Sequence, residues 1–250
     1  MKIIFAKEIL TIIVLLYAYP YTYSSVLSRK TNSKSELSCI SIDSNNNLLK
    51  TQDSVWVNIF NGKNLEGWSL YNSDEKPQWL VQDTILFSPG GNGNIVTDSI
   101  FENFELEIEW KINLGGNSGI FYYVQEKKQY KKISDTGPEF QIIDDVNYPI
   151  KILEKQKTGA CSDVLSPEKL VSHPPGQWNY TKIIVNKGNI EHWLNGELVL
   201  SYSMDSKLWK TAVQESKFSD SDYAKVRKGK IGLQDHGDPI YFRKIRIRKL

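Results

Sequence analysis

The stretch TKIIVNKGNIEHWLNGELVLSY, running from Thr181 to Tyr202, decides the fold. Two runs rich in β-branched and aromatic residues, 181–185 and 190–194, flank Asn186-Lys187-Gly188-Asn189. Asn195-Gly196 then turns the chain into a third run at 197–202. An Asn-Gly pair between alternating runs is a strong hairpin signal, because both residues tolerate the positive φ of a two-residue turn. Strands joined by turns this short must pair antiparallel.

The same grammar extends outward in both directions. Residues 104–112 alternate, with Glu105, Glu107 and Glu109 on one face and Leu106, Ile108 and Trp110 on the other. Residues 119–124 form an almost unbroken apolar run, as a central strand buried on both faces requires. Residues 139–144, 230–233 and 240–247 read as further strands, and the helix candidate, 206–213, is short. Short strands between Gly, Asn and Pro, without βαβ alternation, predict an all-β antiparallel sandwich or jelly roll. All seven tryptophans lie from Trp56 onward, so the domain is placed at 54–250.

Composition bounds what this domain can serve. The chain has 250 residues, 40% hydrophobic and 24% charged, with a net charge of +2, so no strong positive field calls for nucleic acid or an anionic membrane. Two cysteines, Cys39 and Cys161, give neither a disulfide framework nor zinc spacing. At the other end, Lys2 and Lys7 precede an apolar run at 9–19 that is too short to span a membrane but suits a secretory signal. Thr22 and Ser24 place cleavage after Ser24, which predicts a secreted or periplasmic protein with no transmembrane span once 1–24 is removed. Residues 25–53, rich in Ser, Asn and Lys, read as a flexible linker. Export permits pairing of Cys39 with Cys161 without requiring it.

Four places could carry chemistry. Glu105, Glu107 and Glu109 line one strand face, as glycosidase carboxylates do, but the solvated face of a half-buried strand is the simpler reading. Strand parity sets Arg243 with Tyr241, Ile245 and Ile247 on the apolar face, where a guanidinium needs a carboxylate or a polar ligand. In Gln234-Asp235-His236-Gly237-Asp238, a histidine between carboxylates at a strand end is suited to proton transfer, or is simply a capped turn. Glu139 and Gln141 share a face with Ile143, so polar groups there need partners or a ligand. His192 alternates with Ile190 and Leu194 and reads as a satisfied inward histidine, and His173 sits in a loop.

These pieces, taken in order, resemble the 3-keto-disaccharide hydrolase family of exported bacterial proteins with a concanavalin A-like sandwich. The resemblance rests on Phe60-Asn61-Gly62-Lys63-Asn64-Leu65, Gly116-Asn117-Ser118-Gly119-Ile120-Phe121, Glu139-Phe140-Gln141-Ile142-Ile143-Asp144 and Gly176-Gln177-Trp178-Asn179. It continues through His192-Trp193-Leu194-Asn195-Gly196, Ser216-Lys217-Phe218, Gly232-Leu233-Gln234-Asp235-His236-Gly237 and Phe242-Arg243-Lys244-Ile245. Two departures stand out, Tyr122-Tyr123 where the family usually continues into an arginine and Cys161 where it often has tyrosine, and both are expected near the pocket.

The resemblance implies cleavage of glycosides already oxidised to a ketone at C3. A C3 carbonyl acidifies the C2 hydrogen, so a base can remove it and expel the C1 substituent, after which water adds. It implies His236 or Glu139 as base and Arg243 as stabiliser of the enolate, alone or with a divalent metal ion whose ligands the sequence does not specify. Asn117, Gln141, Asp144, Gln234 and Asp235 would orient a small carbohydrate substrate. The alternative is a non-catalytic, lectin-like carbohydrate-binding module on the same sandwich, and fold alone does not decide between them.

Overall fold

A computed structural model describes residues 41–42, 48–49 and 55–250, and separates a unit Met1–Thr51 from a unit Gln52–Leu250. In the first unit, β1 (Ser41–Ile42) and β2 (Leu48–Leu49) pair antiparallel. The linker expected over 25–53 therefore contains one paired segment. The signal segment 1–24, Cys39 and any pairing of Cys39 lie outside the described residues. Among the described residues, no helix is long and apolar enough to cross a membrane.

The second unit is two antiparallel sheets around one core. The larger runs in the order Glu197–Ser203 (β13), Asn189–Leu194 (β12), Asn179–Asn186 (β11), Phe104–Ile112 (β8), Ile240–Lys249 (β15), Ile85–Ser88 (β6) and Leu80–Gln82 (β5), with Val57–Asn58 (β3) also paired to β15. The smaller runs Glu139–Ile143 (β10), Asn117–Val124 (β9), Lys230–Leu233 (β14), Ile95–Thr97 (β7) and Trp68–Leu70 (β4). The Asn195-Gly196 turn forms as expected, with φ of 52° and 89°. The helix α1 (Lys207–Gln214) starts where Ser206 Oγ accepts the Trp209 amide at 3.1 Å, and Trp209 is buried against Tyr202 at 4.7 Å between ring centroids.

Between the sheets lie Leu106, Ile108 and Trp110 from β8 with Ile120, Tyr122, Phe140 and Ile142 from β9 and β10, all buried. Each such side chain contributes roughly 1.5–3 kcal/mol through removal from water. His192 is the inward histidine the alternation predicts. Its Nδ1 meets the Gly159 carbonyl oxygen at 2.9 Å and its Nε2 the Tyr122 hydroxyl at 3.1 Å. Burial pushes its pKa down to about 4. Tyr122 also bonds Tyr202 at 2.5 Å, and the Cys161 thiol meets the Tyr202 and Tyr223 hydroxyls at 3.5 and 3.4 Å. The two departures expected near the pocket are therefore core residues, because β9 turns Tyr122 inward and Cys161 bridges to the inward Phe140.

The outer face of the large sheet corrects a second expectation. Glu109 pairs Arg243 at 2.6 Å and Lys244 at 2.7 Å, Glu107 pairs Arg246 at 2.6 Å, and Glu105 pairs Arg248 at 2.8 Å. Arg243 stands on this face, stacked 4.0 Å above the Trp178 ring, rather than on the apolar one. The cause is a β-bulge between Arg243 and Arg246, with Lys244 at φ 51°, which inserts one residue and reverses the parity upstream of it. Arg243 is thereby removed from the candidate catalytic set.

Partly exposed ion pairs contribute little compared with core packing. Leu106→Ala is expected to cost about 2–5 kcal/mol in urea denaturation, whereas Glu107→Gln in the ladder costs about 1 kcal/mol. Equal losses would mean that the ladder, not the core, holds the sheet.

Candidate active site

The polar face of the small sheet carries the site. β9 and β10 pair with Glu139 opposite Phe121, Gln141 opposite Gly119 and Ile143 opposite Asn117. Strand alternation then sends Ser118, Ile120, Phe140 and Ile142 into the core, and leaves Asn117, Glu139 and Gln141 on the other side. β14 continues this surface, because the Gln234 amide bonds the Gly119 carbonyl at 3.0 Å and Ser118 Oγ donates to the Gln234 carbonyl at 2.8 Å. A cleft of 320 Å³ opens here, lined by Asn117, Glu139, Gln141, Lys217, Gln234 and His236.

Each polar group is set by a neighbour. Gln141 Nε2 donates to Asn117 Oδ1 at 3.0 Å, while Asn117 Nδ2 lies 3.3 Å from the Tyr148 hydroxyl. Gln234 Oε1 is buried without a hydrogen-bond partner among the described residues, an acceptor for a ligand hydroxyl. Lys217 is paired with Asp163, whose other oxygen accepts from Gln156 Nε2 at 2.7 Å. The Glu139 carboxyl folds over Gly119: a Cβ there would stand 2.0 Å from Oε1. Burial raises the Glu139 pKa to about 8, against the opposing pull of the Ser162 hydroxyl and the Lys217 ammonium. At neutral pH this carboxyl is mainly protonated, and the exposed His236 lines the same cleft.

Of the residues singled out in the sequence, Asn117, Glu139, Gln141, Gln234 and His236 meet in this cleft, drawn from three separate segments of the chain. Asp144 and Asp235 do not. Asp144 accepts the amides of Gly115 at 2.9 Å, Val146 at 3.1 Å and Asn147 at 3.0 Å, so it caps a turn. These hydrogen bonds lower its pKa against the opposing effect of burial. Asp235 accepts from Ser88 Oγ at 2.6 Å, the Gly91 and Asn92 amides at 2.9 and 2.7 Å, and the Gly237 amide at 2.9 Å. It ties together the two loops that frame His236 instead of facing the cleft. Lys217 also lines the cleft; it lies in an irregular segment after α1, where no periodicity marks it and the motif Ser216-Lys217-Phe218 is the one sequence signal.

The metal ion that the resemblance admits finds no cradle among these residues. With Asp144 and Asp235 engaged by backbone amides, no three His, Cys, Asp or Glu side chains among the described residues gather where they could hold one. A larger groove, 850 Å³ beside Val57, Ile100 and Ile247, holds Asp98 and Lys249 but no histidine.

Known proteins share this architecture. A crystal structure from Parabacteroides distasonis ATCC 8503, provisionally named a glycosyl hydrolase, is 37% identical, with a TM-score of 0.75 over 78% of this chain and 94% of that one. A Bacillus subtilis protein with a galectin-like fold, 12% identical, has a TM-score of 0.50 over 78% of this chain and 94% of that one, which shows the shared sandwich alone. A Bacteroides thetaiotaomicron protein named 3-keto-disaccharide hydrolase is 35% identical over 227 positions, 78% of each chain. Residues 55–248 match a family description from end to end of the two-sheet unit, and on that match the chain belongs to the 3-keto-alpha-glucoside-1,2-lyase-like domain family.

Proposed function

We propose that the chain is an exported enzyme that cleaves 3-keto-glycosides by elimination across C1 and C2, followed by addition of water. The observation that carries this reading is a protonated, buried carboxyl and an exposed imidazole lining one cleft. Two titratable groups whose environments differ in this way divide into an acid and a base. The name borne by the Bacteroides relative supports the substrate class.

In this mechanism His236 takes the C2 proton, and the C2–H electrons form the enolate with the C3 carbonyl. Lys217, the cation beside Glu139, takes the place assigned to Arg243 and faces the enolate oxygen. As the enolate collapses, a C1–C2 double bond forms and the C1–O bond breaks, and Glu139 gives its proton to the departing oxygen. Water then adds at C1 and a proton returns to C2. Asn117, Gln141 and the unpartnered Gln234 Oε1 hold the ring hydroxyls. Proton transfer of this kind is worth about 10²–10⁴ in rate.

The deciding experiment compares leaving-group release from a 3-keto-glucoside and from its unoxidised parent. Cleavage of the keto substrate alone is expected, and cleavage of the parent would overturn the mechanism. Glu139→Gln and His236→Ala are each expected to lower kcat/KM on the keto substrate by about 10²-fold or more. Since Glu139 must carry its proton, activity should fall as pH rises through about 8, and that descending limb should vanish in Glu139→Gln.

The raised pKa also predicts stability. Between the ordinary carboxyl value of 4.5 and about 8, the unfolded chain releases the Glu139 proton while the folded chain keeps it. Stability is therefore lost progressively across that interval as pH rises. Glu139→Gln should match the wild-type melting temperature near pH 4.5 and exceed it at pH 8, as thermal scans at the two pH values would register.

A further inference from the structure

Lys217 reaches the cleft on a side chain that has little of its own to hold it. Its backbone is anchored, because Ser216 Oγ accepts the Phe218 amide at 3.1 Å and Phe218 stacks on Tyr223 at 4.2 Å between ring centroids. The side chain itself is 61% exposed. A lysine left in that state spreads over many rotamers. What it meets is Asp163, which lines the same cleft and whose side chain is only 14% exposed.

Asp163 is held from several directions. Gln156 Nε2 donates to its Oδ1 at 2.7 Å, and Gln156 is itself set by the Leu153 amide, which donates to Gln156 Oε1 at 2.9 Å. The Asp163 amide donates to the Lys155 carbonyl at 2.8 Å. The preceding Ser162 amide donates to the Glu139 carbonyl at 3.0 Å, so the loop carrying Asp163 is hydrogen-bonded to the residue that carries the acid. Asp163 also takes φ 63°, a left-handed conformation that Gly, Asn and Asp adopt more readily than other residues. A partly exposed ion pair adds little to stability, so the fold gains little from bracing one this way. The charged groups around Glu139 are few. Lys217 draws its pKa down and Asp163 pushes it up. In the core, burial keeps the Cys161 thiol and the Tyr223 hydroxyl neutral. Tyr148, Lys151 and His236 complete the ionisable lining of the cleft.

We propose that Asp163 is a positioning residue, whose braced carboxylate holds the Lys217 ammonium at the cleft beside the Glu139 carboxyl. The pair as a whole is uncharged, so the site gains a fixed N–H donor and not a free positive charge, and Glu139 is not drawn into ionising. The inference rests on the cleavage reaction proposed above only for what that donor does, which is to meet the enolate oxygen. Released from Asp163, the ammonium moves out into solvent and the donor is lost from the cleft.

Two cycles of variants test this on the full chain, each built from Asp163→Asn, Lys217→Met and the two together. Asparagine tolerates the backbone conformation at this position, so Asp163→Asn removes the charge and little else. The first cycle needs no substrate. The Glu139 carboxyl is titrated by carbon NMR, its signal identified by its loss in Glu139→Gln. Lys217→Met is expected to raise its pKa by about one pH unit, and to leave it unmoved once Asp163→Asn has released the ammonium. The second cycle follows kcat and KM on a 3-keto-glucoside. Asp163→Asn should lower kcat about tenfold with KM little changed, and the double variant should be no slower than Lys217→Met alone. A carboxyl titration that Lys217→Met shifts equally with and without Asp163, or losses in kcat that multiply, would overturn the proposal. Failure of the reaction reads differently. If the wild type cleaves no keto substrate while the first cycle comes out as expected, the reaction falls and the tether stands. If the wild type cleaves it and Asp163→Asn is as fast, the tether falls and the reaction stands.

Discussion

Glu139 can lie across the small sheet only because Gly119, its diagonal neighbour on the paired strand, has no side chain. A single methyl group there would meet the carboxylate at 2.0 Å. That vacancy lets a long acidic side chain fold down against the strand and become buried, and burial is what raises its pKa. The rest of the site follows from this arrangement. Gln141 is one alternation away on the same strand and reaches Asn117, and β14 enters beside Gly119 carrying Gln234 and, just beyond it, His236. A carboxyl held uncharged in this way costs stability above pH 4.5, so the site works against the fold that carries it.

Much of this was legible in the sequence because its signals are local. Period-two alternation marks β8, the unbroken apolar run marks β9, and the Asn-Gly pair fixes the hairpin. The shared face of Glu139 and Gln141 also followed from parity alone. What failed was parity carried through an irregularity. The bulge at Lys244 puts a lysine in a positive-φ conformation that no residue type there announces, and it moved Arg243 from the apolar face to the ion-pair ladder. Asp144 and Asp235 illustrate a different limit. A carboxylate beside glycines can serve a ligand or cap its own loop, and only the direction of the neighbouring amides decides.

The two departures from the family pattern, read as changes near the pocket, turn out to be changes of the core beneath it. Tyr122, Tyr202, Tyr223, His192 and Cys161 satisfy one another where a purely apolar packing would otherwise be expected. Buried polar networks of this kind specify one arrangement strongly when every member is partnered. The cluster fixes how the inner face of β9 meets the large sheet, and so the depth at which the outer face presents Asn117 and Glu139.

The position of β15 has a consequence for how the molecule is made. It is the last strand of the chain, yet it lies inside the large sheet between β8 and β6. Until residues 240–249 have been synthesised, that sheet exists as two unjoined pieces, β13-β12-β11-β8 and β6-β5, each with an unpaired inner edge. Pairing so distant in sequence is slow to form and leaves those edges open in the meantime. Assembly therefore awaits the end of translation of this domain, and a chain truncated before Ile240 would be not a smaller version of the fold but two ribbons without a common sheet.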